Sequence, residues 1–185
     1  LQPLFRCRDC CVGETDKKQK QYATEKSKYK FFHDTVYVRQ EEYMSTLEHL
    51  YPERVFYYFK QIAAIPHGSG NTKAISDYLV KFAKEHALTW YQDEANNVVL
   101  VKEASKGYEK APAIIIQGHM DMVCEKEKDC NLDMDKEGLR LYVDGDFLKA
   151  EGTTLGGDDG IAVAYALAIL ESDEISHPKL EVVIT

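Results

Sequence analysis

The run Ile161-Ala162-Val163-Ala164-Tyr165-Ala166-Leu167-Ala168-Ile169-Leu170, followed after a short polar stretch by Leu180-Glu181-Val182-Val183-Ile184, decides the fold class. The first segment is rich in alanine and apolar almost all the way round, so it reads as a buried helix. The second is short and mostly β-branched, so it reads as a buried strand. Upstream, Ile114-Ile115-Ile116 is another fully apolar run, predicted as a central strand buried on both faces. Between them Leu139 to Val143 alternates, Asp144-Gly145 turns the chain, and Phe147 to Ala150 returns it as a hairpin.

Further out, Trp90-Tyr91 and Val98 to Val101 read as two strands turned by Asn96-Asn97. Ile75, Tyr78, Leu79, Phe82, Ala83 and His86 form one apolar stripe, with Asn71 or Thr72 as its cap. Val55, Phe56, Phe59, Ile62 and Ala63 form another, with Pro52 at the first helical position. Pro66 and Gly68-Ser69-Gly70 end that helix in a loop. Helices alternate with strands and no repeat appears, so the class is α/β.

The 185 residues suffice for one domain with a core. The net charge of -8 argues against nucleic acid as the main partner, because phosphate binding needs a basic surface. The longest apolar run, Ile161 to Leu170, is too short to span a bilayer, so no membrane partner is expected. No charged-then-apolar leader opens the sequence, and the expected location is cytoplasmic. Residues 1–43 carry nine Lys/Arg against seven Asp/Glu, whereas 44–185 carry fourteen against twenty-four. Composition therefore changes near Met44, and 1–43 read as an extension outside the domain at 44–185. Two readings of it stay open: an upstream stretch translated by mistake, or a disordered or partly helical N-terminal extension.

Two stretches carry chemistry. Gly118-His119-Met120-Asp121 follows the apolar strand directly, and strand period puts His119 and Asp121 on one side. An imidazole can bind zinc through one nitrogen while a carboxylate holds the other. Alone, such a pair is ordinarily structural. The second stretch is Gly152-Thr153-Thr154-Leu155-Gly156-Gly157-Asp158-Asp159-Gly160, just before the buried helix. Its two acids either cap that helix or supply a carboxylate that bridges two metal ions. It matches neither a dinucleotide fingerprint nor a phosphate loop.

Other features read as bland. Asp133, Asp135, Glu137 and Gly138 partly match a calcium loop, but the twelfth position is Asp144 and no exiting helix follows. Cys7, Cys10 and Cys11 lack the second close pair of a zinc ribbon, and Cys124 and Cys130 read as ordinary loop thiols. His67 either faces the site from a substrate-side loop, the reading favoured here, or sits on the surface. His33, His49, His86 and His177 show no ligand spacing and read as structural or exposed.

Taken in order, Gln61-Ile62-Ala63-Ala64-Ile65-Pro66-His67-Gly68-Ser69, Gln117-Gly118-His119-Met120-Asp121-Met122-Val123, and Asp144-Gly145-Asp146 leading to Gly152 through Ile161 resemble the aminoacyl-histidine dipeptidases. These Xaa-His dipeptidases, or peptidase D, belong to the aminoacylase and carboxypeptidase group of zinc enzymes. The resemblance covers about 44–185. It implies a mixed-sheet zinc-peptidase catalytic domain, of which this chain is the N-terminal part, with the lid domain and the C-terminal half absent.

The resemblance also implies roles. His119 would bind one zinc, Asp158 would bridge two, and Asp121 would be the catalytic-site acid that orients His119. The Asp158–Asp159 peptide bond would be cis. Gly157 stands where relatives commonly carry Ala, and Asp159 where some carry Asn; neither change removes a ligand. The general base, the first of an adjacent Glu-Glu pair, and the remaining ligands would follow the strand at Leu180–Ile184, beyond Thr185. The complete enzyme would hydrolyse small dipeptides with a water activated by two zincs, and the ligand set also suits Mn or Co. The missing lid would carry homodimer contacts. An N-acyl amino acid deacylase or aminopeptidase of the same superfamily is the alternative, and a non-catalytic fragment that only binds metal or a partner is another. The strand Leu180–Ile184 is expected to lack later neighbours and to present an edge prone to aggregation.

Overall fold

The computed structural model describes residue 47 and residues 49–185. The expectations for 1–43, including Cys7, Cys10, Cys11 and His33, lie outside the described residues. Helix α1 (Glu53–Ala63) begins one residue later than predicted, because Pro52 is extended (φ -73°, ψ 126°) and serves as the N-cap. Its buried stripe is Val55, Tyr58, Phe59, Ile62 and Ala63. Tyr58 takes the place expected of Phe56, which is only half-buried. Helix α2 (Lys73–Glu85) starts after Thr72 and buries Ile75, Leu79, Phe82 and Ala83 of the predicted stripe, together with Ser76 and Val80.

Strand β1 (Thr89–Gln92) and strand β2 (Val98–Lys102) pair antiparallel. Asp93 builds the turn between them: its Oδ1 accepts from the backbone N–H groups of Ala95 (2.9 Å) and Asn97 (2.8 Å). Asn96 takes the left-handed conformation there, which Asn tolerates well. Strand β3 (Ile114–Gly118) follows, then the hairpin of β4 (Leu141–Asp144) and β5 (Phe147–Ala150), closed by Gly145-Asp146. Helix α3 (Gly157–Glu171) and strand β6 (Leu180–Ile184) complete the order.

The sheet runs β1-β2-β6-β3. Strand β6 is antiparallel to β2 and parallel to β3, so the sheet is mixed, as expected. Two expectations are corrected. β6 is not an exposed edge, because it lies between β2 and β3 and hydrogen-bonds to both. The run Ile114–Ile116 is not central and not buried on both faces: among the described residues β3 is the edge, Ile114 is 48 % exposed and Ile115 66 %.

One face of the sheet carries Val98, Leu100, Leu180, Val182 and Ile184, all buried beneath α2 and α3. On the opposite face Tyr91, Val99, Val101, Val183 and Ile115 are half-buried or exposed. Among the described residues that face has no covering layer. Helix α3 is apolar all round because it lies between α1 and the sheet. It meets Ile116, Val182 and Ile184 on one side and α1 on the other, where Gly160 faces Phe59. Fully burying residues such as Leu79, Leu100 and Leu167 contributes about 1.5–3 kcal/mol each.

Two polar clamps fix α3. Arg54 on α1 donates to both carboxylate oxygens of Glu171 at 2.6 Å and stacks on Tyr57. Lys102 on β2 donates to the carbonyls of Leu170 (2.9 Å) and Ser172 (2.7 Å), which the helix end leaves free. No described helix is long and apolar enough to cross a membrane.

Candidate metal centre

The end of β3 sets the first half of the site. Pairing with β6 continues past the strand, with Met120 N–H donating to Thr185 O (2.7 Å) and Thr185 N–H to Gly118 O (3.0 Å). The extended backbone therefore alternates. Met120 and Met122 turn inward at 2 % and 3 % exposure, and His119 and Asp121 turn together to the other side. The strand reading of this pair holds.

The glycine loop before α3 sets the second half. Gly156 is left-handed (φ 68°), and a Cβ there would sit 2.8 Å from the sulfur of Met122. No other residue type fits that approach without displacing the methionine. Asp158 and Asp159 depart from helical angles, and the bond between them is cis, as the resemblance implied. Asp158 is turned outward, its side chain 98 % exposed. Asp159 turns inward instead. Its Oδ2 accepts from the backbone N–H of His119 (3.3 Å) and lies 2.8 Å from where a Gly118 Cβ would stand.

The loops bring His119 between two aspartates. Its Nδ1 lies 3.0 Å from the Asp121 carbonyl and 3.1 Å from Asp121 Oδ1. Both are acceptors, so Nδ1 carries a proton. Its Nε2 faces Asp158 Oδ1 at 3.2 Å. A bare lone pair and a carboxylate repel, so that gap asks for a proton or a cation. Burial pulls the His119 pKa down, but the hydrogen bonds to Asp158 and Asp121 outweigh it and the net shift is upward. Asp121 is held below the usual carboxylate range, first by a hydrogen bond from Ser69 and then by His119.

The pair fits zinc. Zinc–nitrogen and zinc–oxygen bonds of about 2.0–2.2 Å at a tetrahedral angle separate the two ligand atoms by roughly 3.4 Å. The observed 3.2 Å is close to that. A catalytic zinc takes three protein ligands, and no three His, Cys, Asp or Glu among the described residues are grouped to hold a metal. His119 and Asp158 could supply two of those ligands.

The loop after α1 also reaches the site. His67 is 4 % exposed, with Nδ1 2.5 Å from the Ile65 carbonyl, so it does not sit on the surface, and it lies close enough to Asp121 to feel its charge. Burial lowers its pKa. Ser69 also arrives there, its hydroxyl donating to Asp121 Oδ2 at 2.5 Å. Ser69 and Asp159 were not singled out as contacts of the His-x-Asp pair. Neither has a periodic signal, and only the non-local pairing of loops reveals them.

Asp133 spends its carboxylate on Lys136 and on the Asp135 N–H. Cys124 and Cys130 are free thiols, and burial raises the pKa of Cys124. His177 is buried with Nδ1 near the Pro178 carbonyl, His86 stacks on Phe82, and His49 is exposed.

No protein-family model matches this chain. The cytosol non-specific dipeptidase of Escherichia coli (strain K12) is 38 % identical over 142 residues, which are 77 % of this chain and 29 % of that relative. The crystal structure of aminoacylhistidine dipeptidase from Vibrio alginolyticus is 36 % identical with a TM-score of 0.74, over 78 % of this chain and 30 % of that one. A tripeptidase from Staphylococcus aureus (23 % identity, TM-score 0.57) shares the fold, over 71 % of this chain and 35 % of its own. This chain therefore spans less than a third of the length of the two dipeptidases it matches.

Proposed function

This chain resembles the aminoacyl-histidine dipeptidases in sequence and in fold, and from that premise we propose that it contributes part of a zinc centre that hydrolyses dipeptides. The observation that carries the proposal is His119 poised between Asp121 and Asp158, with Nδ1 tied and Nε2 facing Asp158 Oδ1 at 3.2 Å.

In this reading His119 would hold the metal through Nε2. Asp121 accepts the Nδ1 proton, which fixes the tautomer and raises the basicity of the ring. Asp158, open to solvent, would hold metal beside His119 with its carboxylate. Zinc bound there would polarise the scissile carbonyl and supply a water that ionises near neutral pH. Asp159 anchors the backbone of His119 and takes no metal. Among the described residues His119 and Asp158 are two of the three protein ligands a catalytic zinc takes, so the chain by itself is expected to bind zinc weakly. The substrate class is dipeptides. Those with C-terminal histidine are included by the Vibrio likeness, and the Escherichia coli relative is named non-specific.

Calorimetric zinc titration of the chain tests the reading. Binding is expected for the parent, with a loss of at least about ten-fold in affinity for His119→Ala and for Asp158→Ala. Equal affinity in all three proteins refutes the assignment. Release of free histidine from an Xaa-His dipeptide, against acetate from an N-acetyl amino acid, separates a dipeptidase from a deacylase in the longer protein.

A further inference from the structure

Asp121 has two carboxylate oxygens, and each has a separate job. Oδ1 faces His119 Nδ1 at 3.1 Å, and Oδ2 accepts from the Ser69 hydroxyl at 2.5 Å. Without a second hold, the carboxylate could rotate about its broad χ2 torsion and leave the ring. Its side chain is 34 % exposed, so packing alone does not lock it.

The Ser69 hydroxyl is delivered by backbone pairing. Met122 N–H donates to His67 O (3.0 Å) and Ser69 N–H donates to Met122 O (3.1 Å). Gly68 makes the parallel bridge to Met122, and a Cβ at Gly68 would meet the Cys124 sulfur at 2.7 Å. The loop is thus zipped to the segment that carries Asp121, and the serine is held where only a short hydroxyl reaches Oδ2.

We propose that Ser69 is a positioning residue that fixes the Asp121 carboxylate, and through it the Nδ1-protonated tautomer of His119, so that Nε2 stays free toward Asp158. Ser69 is not a nucleophile. A serine nucleophile needs a base beside it, and here the aspartate stands between serine and histidine. Nor is its role only to tether the loop, since the main-chain bonds of residues 67–69 to Met122 do that without the hydroxyl.

The test uses the metal-free 185-residue chain. Imidazole nitrogen shifts are followed upward in pH until they stop changing, so that the ring is neutral when its tautomer is read. The parent is expected to show His119 as the Nδ1–H tautomer. Ser69→Ala is expected to give a mixture, Ser69→Thr to restore the parent signal, and Asp121→Asn to mimic Ser69→Ala. Zinc affinity should weaken about ten-fold in Ser69→Ala and recover in Ser69→Thr. An unchanged tautomer in a folded Ser69→Ala protein overturns the proposal, as does a parent ring protonated on Nε2. Should Ser69→Ala fail to fold, Ser69→Cys, a far weaker donor of similar size, is read the same way. The zinc readout rests on the metal reading of the site and the tautomer readout does not. A tautomer shift without zinc binding would sink that reading and leave Ser69 its role.

Discussion

Gly118→Ala is expected to destabilise the chain, and to stop doing so once Asp159 is removed. Gly118 ends β3, and an added Cβ would stand 2.8 Å from Asp159 Oδ2, 3.6 Å from its Cγ and 3.8 Å from Ala162 Cβ. Only the first contact is too short. Relieving it moves the carboxylate by roughly half an ångström or more, away from the His119 N–H it accepts at 3.3 Å. Overpacking of this kind costs about 1–3 kcal/mol. Against that, Gly→Ala narrows the unfolded ensemble and returns about 0.4–1 kcal/mol where the backbone allows it, and Gly118 has no positive φ to forbid it. The net expectation is a loss of about 1–2 kcal/mol, a fall in Tm of about 3–6 °C for a chain of this size. In an Asp159→Ala background the clash is gone and the same substitution should be neutral or stabilising by about 0.5 kcal/mol. Urea unfolding of the four proteins of this cycle gives the coupling directly. An equal cost in both backgrounds would refute the argument, because the loss would then come from the strand and not from the carboxylate.

Three further outcomes are expected. His67 is buried with its pKa lowered, so its neutral form is favoured in the fold: stability should be flat above about pH 6.5 and fall as pH drops from there toward the lowered folded value. Comparing urea midpoints at pH 5 and pH 7.5 should show a smaller fall in His67→Asn than in the parent, and an equal fall would mean that His67 is not responsible. Arg54→Ala removes the two-point clamp on Glu171, whose side chain is 27 % exposed, and should cost about 1 kcal/mol, shrinking at high salt; a salt-independent loss would assign the effect to packing on Tyr57. Ile115→Lys on the open face of β3 should change the urea midpoint little while lowering concentration-dependent association in light scattering, and a large loss of stability would show that this face is covered.

What the sequence disclosed follows the range over which each signal acts. The His119–Asp121 pair was legible because a two-residue strand period is local, and the inward turn of Met120 and Met122 bears it out. The hairpin 141–150 was legible because Gly145 marks its own turn. The acidic pair was legible in its loop, but the choice of Asp158 over Asp159 came only through the resemblance, since nothing within the loop says which acid will meet a ring from β3. Strand order was not legible at all. Ile114–Ile116 and Leu180–Ile184 are both apolar and β-branched, and nothing local says which of them takes the centre. The sheet resolves it by inserting β6 between β2 and β3. That leaves β3 with a composition suited to burial on both faces and, among the described residues, a covering layer on only one. Local preference and tertiary setting agree along β6 and disagree along β3, and such a disagreement is informative in itself. It marks Ile115 as the residue at which any further covering layer would register first. The same reasoning explains why Ser69 escaped notice. A serine in a glycine-rich loop has no period to betray it, and its meaning comes wholly from the aspartate it meets across 52 residues of chain.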